Sequence, residues 1–180
     1  CLRVAWRTQT LGNVGIDGVL PTLQRVLVHE RLHDEVFATV LTVCVHADRA
    51  SATLRSAGHQ PPVLLRAGNG PCIQGVSPGL PLGIFDDASW PAHELALPER
   101  WGLLLSTDGL TEGRAGPERS DRLAMDGLLS LLADPVIDGS WAEDPNALIA
   151  SLIEEVVRRN GEAPLDDVAA LLLIGDRRGG

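Results

Sequence analysis

Carboxylates stand at the edges of two apolar runs. Leu103-Leu104-Leu105 is followed by Ser106-Thr107-Asp108-Gly109, and Leu165-Asp166-Asp167 precedes the run from Val168 to Ile174. Both runs read as buried strands, so Asp108 leaves a strand and Asp166 enters one. If these strands are antiparallel neighbours, the two carboxylates arrive at one end of a sheet. Hard divalent cations take oxygen ligands from separate rigid elements, and Mg2+ keeps several waters beside one or two carboxylates. The spacing therefore suits a Mg2+- or Mn2+-type site. It suits two turn formers as well, because Asp-Gly is a common turn dipeptide and Asp is common before strands.

Other chemistries lack their patterns. Histidines 29, 33, 46, 59 and 93 show no HxH or HExxH spacing. His59, in AGHQPP, reads as a turn residue between strands. Ser56 and Ser106 have no GxSxG context, so a serine nucleophile is unsupported. Glycines 68, 70, 79 and 83 form no dinucleotide loop. Cys1, Cys44 and Cys72 are an odd count without metal-ligand spacing. Cys44 sits in an apolar run and is expected to be a buried free thiol, which fits a reducing cytoplasm.

Composition narrows the class further. The 180 residues carry a formal net charge of −9, and every basic residue is Arg. That field argues against a nucleic-acid partner and suits cations or a basic protein surface. The longest nearly apolar run, residues 36–45, is too short to span a bilayer. The length suggests one domain that can bury a core without staples.

The elements that would hold the acids follow from periodicity. Helices are expected at 1–11 and about 18–32, the second capped by Asp17. Residues 37–46 and 51–58 read as a hairpin, Val63–Arg66 as a strand, and 68–70 as a turn. Residues 75–91 read as Gly/Pro-rich loop, and 93–98 and 101–107 as two strands joined tightly through Glu99-Arg100. A polar, mobile stretch at 110–121, a helix at about 121–133 and irregular chain from Asp134 to Asp144 come next. A helix with Asp144 as cap and Pro145 at its first position then leads to a strand at 168–174. This is an α+β pattern.

Four blocks in order resemble a known family. LLLSTDGLTEGR at 103–114 is similar to the TDGxxE motif of metal-dependent PPM-type protein serine/threonine phosphatases. Within them it resembles the bacterial branch of stage II sporulation protein E-like and sigma-factor regulatory phosphatases. The segment 37–65 resembles that branch's hairpin and AGHxPP signature, and GLPLGI at 79–84 and LDDVAALLLI at 165–174 resemble two further blocks. The resemblance implies an α-β-β-α four-layer sandwich of two mostly antiparallel sheets, here lacking its first strands. It implies a partial phosphatase domain over 1–176, with 177–180 as a tail. It also implies Mn2+ or Mg2+ in a two-metal centre, with Asp108 and Asp166 as metal ligands and Asp167 as a neighbour. The implied reaction is attack of a metal-activated water on phosphoserine or phosphothreonine of a phosphoprotein, of anti-anti-sigma type, with no covalent enzyme intermediate.

Segment 110–121 would lie as a flap over the substrate, and the first two helices would link to an upstream sensory domain. The family's GGDxxD and GDVxGHG blocks, which supply the aspartate bridging the metals, have no match in these residues. The alternative is a truncated, catalytically dead phosphatase-like module that binds a partner without turnover.

Overall fold

A computed structural model describes residues 1–111, 123–160 and 168–177. By contact density the chain divides into two compact units, residues 1–61 with 75–96 and residues 62–74 with 97–180. Each has its own helices, its own sheet and its own core. All strand pairs are antiparallel. Among the described residues no helix is long and apolar enough to cross a membrane.

The first unit holds helices α1 (Leu2–Leu11) and α2 (Ile16–Glu30) and strands β1 (Val40–Val45), β2 (Ser51–Ala57) and β5 (His93–Ala96). The sheet order is β1-β2-β5. β1 and β2 form the expected hairpin, in register from Val40↔Ala57 to Val45↔Ala52. Leu20, Leu23 and Leu27 recur on one face of α2 and are buried with Ala57, Leu82 and Trp90. Asp17 does not cap α2. It sits inside the first turn, Gly15 occupies the cap, and the Asp17 carboxylate accepts a hydrogen bond from Arg55 on β2. A cross-chain guanidinium is a stronger partner for a carboxylate than a local N–H.

The second unit holds β3 (Val63–Arg66), β4 (Asn69–Ile73), β6 (Arg100–Ser106) and β7 (Ala170–Asp176), in the order β4-β3-β6-β7. Helices α3 (Ala124–Asp138) and α4 (Pro145–Asn160) pack Leu128, Leu132, Val136, Leu148, Leu152 and Val156 against Val63, Leu65 and Leu104. Asp144 caps α4 as expected, its Oδ1 accepting from the Ala147 N–H at 2.9 Å.

Several expectations are corrected. β5 and β6 are not a hairpin: they belong to different sheets, and the chain passes from the first unit to the second between Ala96 and Leu97, so Glu99-Arg100 is not a tight turn between paired strands. Residues 69–73 form a strand, β4, which begins inside the turn expected at 68–70. α3 runs through Pro135 to Asp138 and ends at Gly139, φ +83°, so the region after Asp134 is not irregular. Cys44 is exposed on β1, not buried: among the described residues this strand stands at the edge of its sheet, and cover over the face that buries Thr42 does not extend to Cys44. Among the described residues β7 lies at a sheet edge with Leu171 and Ile174 exposed, so of the two apolar runs that of β6 is the covered one, buried from Trp101 to Leu104.

Candidate metal centre

β6 is central in its sheet, between β3 and β7. Its ladder with β7 runs in unbroken register from Arg100↔Asp176 to Ser106↔Ala170. Pairing continues one residue further. The Thr107 N–H donates to the Ala169 carbonyl at 2.9 Å, and the Ala169 N–H donates to Thr107 Oγ1 at 2.9 Å. The strand thus stays fixed up to the residue before Asp108, and the chain enters β7 at the end where β6 leaves. This is the antiparallel neighbourhood that the acid spacing required.

Asp108 opens a 3-10 turn, Asp108–Leu110. The Leu110 N–H donates to the Thr107 carbonyl at 3.1 Å and the Thr111 N–H to the Asp108 carbonyl at 2.8 Å. Leu110 is fully buried in the core of the second unit, which anchors the turn from below. The carboxylate itself is exposed, and its Oδ1 accepts one hydrogen bond, from the Gly109 N–H at 3.1 Å. Gly109 is buried and does not take a positive φ, so the turn needs no left-handed backbone at this position.

Leu110 and Thr111 belong to this pinned turn, so the start of the expected mobile stretch is ordered; its remainder, 112–121, lies outside the described residues. So do Asp166 and Asp167. Among the described residues no three His, Cys, Asp or Glu side chains come together as a metal cluster. Asp108 fits a hard cation as a single oxygen ligand, exposed and held on a rigid strand end.

The other two quoted motifs interlock within the first unit. Gly58 of AGHQPP has φ +70° and its N–H donates to the Pro78 carbonyl at 2.5 Å; a Cβ there would stand 2.5 Å from Pro81 Cγ. Gly79 of GLPLGI has φ +55° and would meet the Ser56 carbonyl at 2.5 Å. Both glycines are required where the turn and the loop press together. His59 Nδ1 donates to the Gln60 carbonyl at 2.9 Å, and its own carbonyl accepts from Ser56 Oγ at 2.9 Å. His59 is therefore a turn residue with a fixed ring, as read from sequence.

A sequence profile of stage II sporulation protein E matches residues 1–174. The chain belongs to that family. No curated protein matches the sequence. Solved structures share the fold of PPM phosphatase domains at low identity. The RsbU and RsbW domains of Rv1364c from Mycobacterium tuberculosis align at 23% identity and TM-score 0.72, over 98% of this chain and 46% of that one. The PP2C phosphatase domain of the cell fate determinant SpoIIE from Bacillus subtilis, with a fragment of its regulatory domain, aligns at 19% identity and TM-score 0.75, over 97% and 48%. The catalytic domain of the serine threonine protein phosphatase PstP, in complex with 2 manganese ions, aligns at 14% identity and TM-score 0.65, over 97% and 79%. The chain thus spans less than half the length of the first two of these structures. The mixed architecture of two antiparallel sheets with helices is that of the PP2C fold.

Proposed function

We propose that the chain is part of a metal-dependent protein serine/threonine phosphatase in which Asp108 and Asp166 each anchor one of two Mn2+ or Mg2+ ions. The observation that carries this reading is the β6–β7 ladder, held to Thr107 and Ala169 by the hydrogen bonds that immediately precede Asp108. The manganese pair in the PstP catalytic domain and the family match support it. When bound, such ions supply a water acidic enough to attack phosphorus near neutral pH and offset charge on the phosphoryl oxygens. The part played by this chain is to present the carboxylates without slack: Asp108 cannot drift while Leu110 is buried and Thr107 is paired. The substrate we assign is phosphoserine or phosphothreonine on an anti-anti-sigma-type regulatory protein, by analogy with the sigma-factor regulatory phosphatases that the sequence motifs resemble. The bridging aspartate comes, on this reading, from GGDxxD and GDVxGHG blocks outside the 180 residues.

The test is thermal stability with and without Mn2+, followed by turnover. A ligand bound only by the native state at about 100 times its Kd stabilises by about 2.7 kcal/mol. Wild type should gain stability with Mn2+, and Asp108→Asn should lose most of that gain. With the two upstream blocks supplied ahead of Cys1, p-nitrophenyl phosphate and a phosphoserine peptide should be hydrolysed, and Asp108→Asn or Asp166→Asn should lower turnover by at least about 100-fold. Equal Mn2+ shifts in wild type and Asp108→Asn would remove Asp108 from the centre. Metal binding without turnover in the completed domain would favour a binding module.

A further inference from the structure

The first unit carries an apolar surface that its core does not use. The chain has 2 phenylalanines, and both are exposed, Phe37 at 59% and Phe85 at 50%. Val36, Leu80 and Ile84 are exposed with them. Large apolar groups left in water cost free energy unless something else covers them, and a contiguous group of them marks an interaction surface.

Two separate segments are held side by side to build this face. Ala38 and Leu82 exchange both backbone hydrogen bonds, at 3.0 and 2.8 Å. Gly83, φ +90°, lies so close that a Cβ would stand 2.7 Å from the Val36 carbonyl and 3.4 Å from Phe37 Cα. Beneath it, the buried Gln24 grips the loop at two points. Its Oε1 accepts from the Gly83 N–H at 2.7 Å, and its Nε2 donates to the Phe85 carbonyl at 2.8 Å. Arg31 Nη1 donates to the Gly83 carbonyl at 2.5 Å. The backbone of 83–85 is therefore fixed with Phe85 outward, instead of being free to fold its ring into the core. Such preorganisation lowers the ordering cost of binding.

The border of the face is acidic. Glu30, Asp34, Glu35, Asp86 and Asp87 are all exposed. Arg31 is the only arginine in these segments, and its guanidinium is already engaged by the Gly83 carbonyl and by Asp34 at 3.1 Å. A second copy would bring the same acids against this rim, in a chain of net charge −9. A basic partner meets complementary charge. We propose that this face docks a partner protein through an amphipathic segment whose apolar stripe is flanked by Lys or Arg.

The test uses the 180-residue chain and a designed helical peptide with Leu at i, i+3, i+4 and i+7 and Lys/Arg flanks, followed by fluorescence anisotropy. A Glu-flanked counterpart is the control. The basic peptide should bind, weaken with added salt, and weaken at least about tenfold in Phe85→Ser and independently in Phe37→Ser. Asp86→Asn with Asp87→Asn should flatten the salt dependence. Circular dichroism must show the variants folded; one folded variant suffices, because the two substitutions lie in different segments. No binding, equal binding of both peptides, or wild-type binding by the folded variants would overturn the proposal. So would a dimer in sedimentation that Phe85→Ser abolishes, which would assign the face to a second copy.

Discussion

A carboxylate that is to hold a cation must be in place before the cation arrives, and Asp108 is placed by its backbone rather than by partners of its side chain. Among the described residues its side chain makes a single hydrogen bond, accepted at Oδ1 from the Gly109 N–H, and an Asn oxygen accepts it equally. Asp108→Asn should therefore leave metal-free stability within about 0.5 kcal/mol in urea unfolding. A larger loss would mean that the charge serves the fold. Gln24 is the opposite case. It is buried and its amide satisfies Gly83 and Phe85, so Gln24→Leu leaves those backbone groups without partners. A loss of about 1–3 kcal/mol is expected from the same measurement. Asp138 adds a titrating example: its Oδ1 accepts from the Ser140 N–H at 2.8 Å, and that bond holds its pKa below the ordinary carboxylate value. A depressed folded pKa stabilises above the unfolded pKa, and the contribution is lost as pH falls through the folded value. Asp138→Asn keeps an acceptor without the charge, so its melting temperature should trail wild type at pH 7 and converge with it in acid. A constant gap would refute that account. The place of Asp108 at a strand end was legible in sequence, because an apolar run and a turn signal meet there. The partner of Asp17 was not, because Arg55 lies 38 positions away and competes unseen with the local cap.

At the scale of elements, periodicity located helices and strands well and pairing poorly. The hairpin β1–β2 has a short connection and was legible. β5 and β6 also have a short connection, yet each pairs with distant strands, β5 with β2 and β6 with β3 and β7. Loop length alone does not report that a chain crosses from one sheet to another. α3 shows packing overriding a local rule: Pro135 should end the helix, but Leu132 and Val136 are fully buried and hold its last turn on the core. Glycine in β6 likewise has a tertiary cause. A Cβ at Gly102 would stand 2.6 Å from Trp141 Cζ3 and 3.2 Å from Leu172 Cδ1, and the Trp141 ring is buried. Gly102→Ala must displace that ring or the strand, and should cost about 1–3 kcal/mol in urea unfolding. A neutral or stabilising result would show that the indole can shift freely.

For the whole molecule, element order and motif order were enough to give the family, whereas only half of the proposed ligand pair lies among the described residues. The same scale sets the chain's behaviour in solution. Among the described residues β1 is an edge strand, and its sequence VLTVCV has neither a charge nor a proline. Such an edge offers unpaired N–H and C=O groups to another chain. Net charge −9 opposes that encounter at pH 7 and vanishes near the isoelectric point of about 4.9. Light scattering in reductant should therefore show self-association that grows as pH falls from 7 towards 5. Cys44 is exposed on this edge strand, one residue from its end, so Cys44→Lys should suppress the association, while Cys44→Ser should not. Phe85→Ser should leave it unchanged, because that side chain belongs to a different face. Association equal in all three variants would mean that loss of net charge alone drives it, and that the β1 edge is already protected.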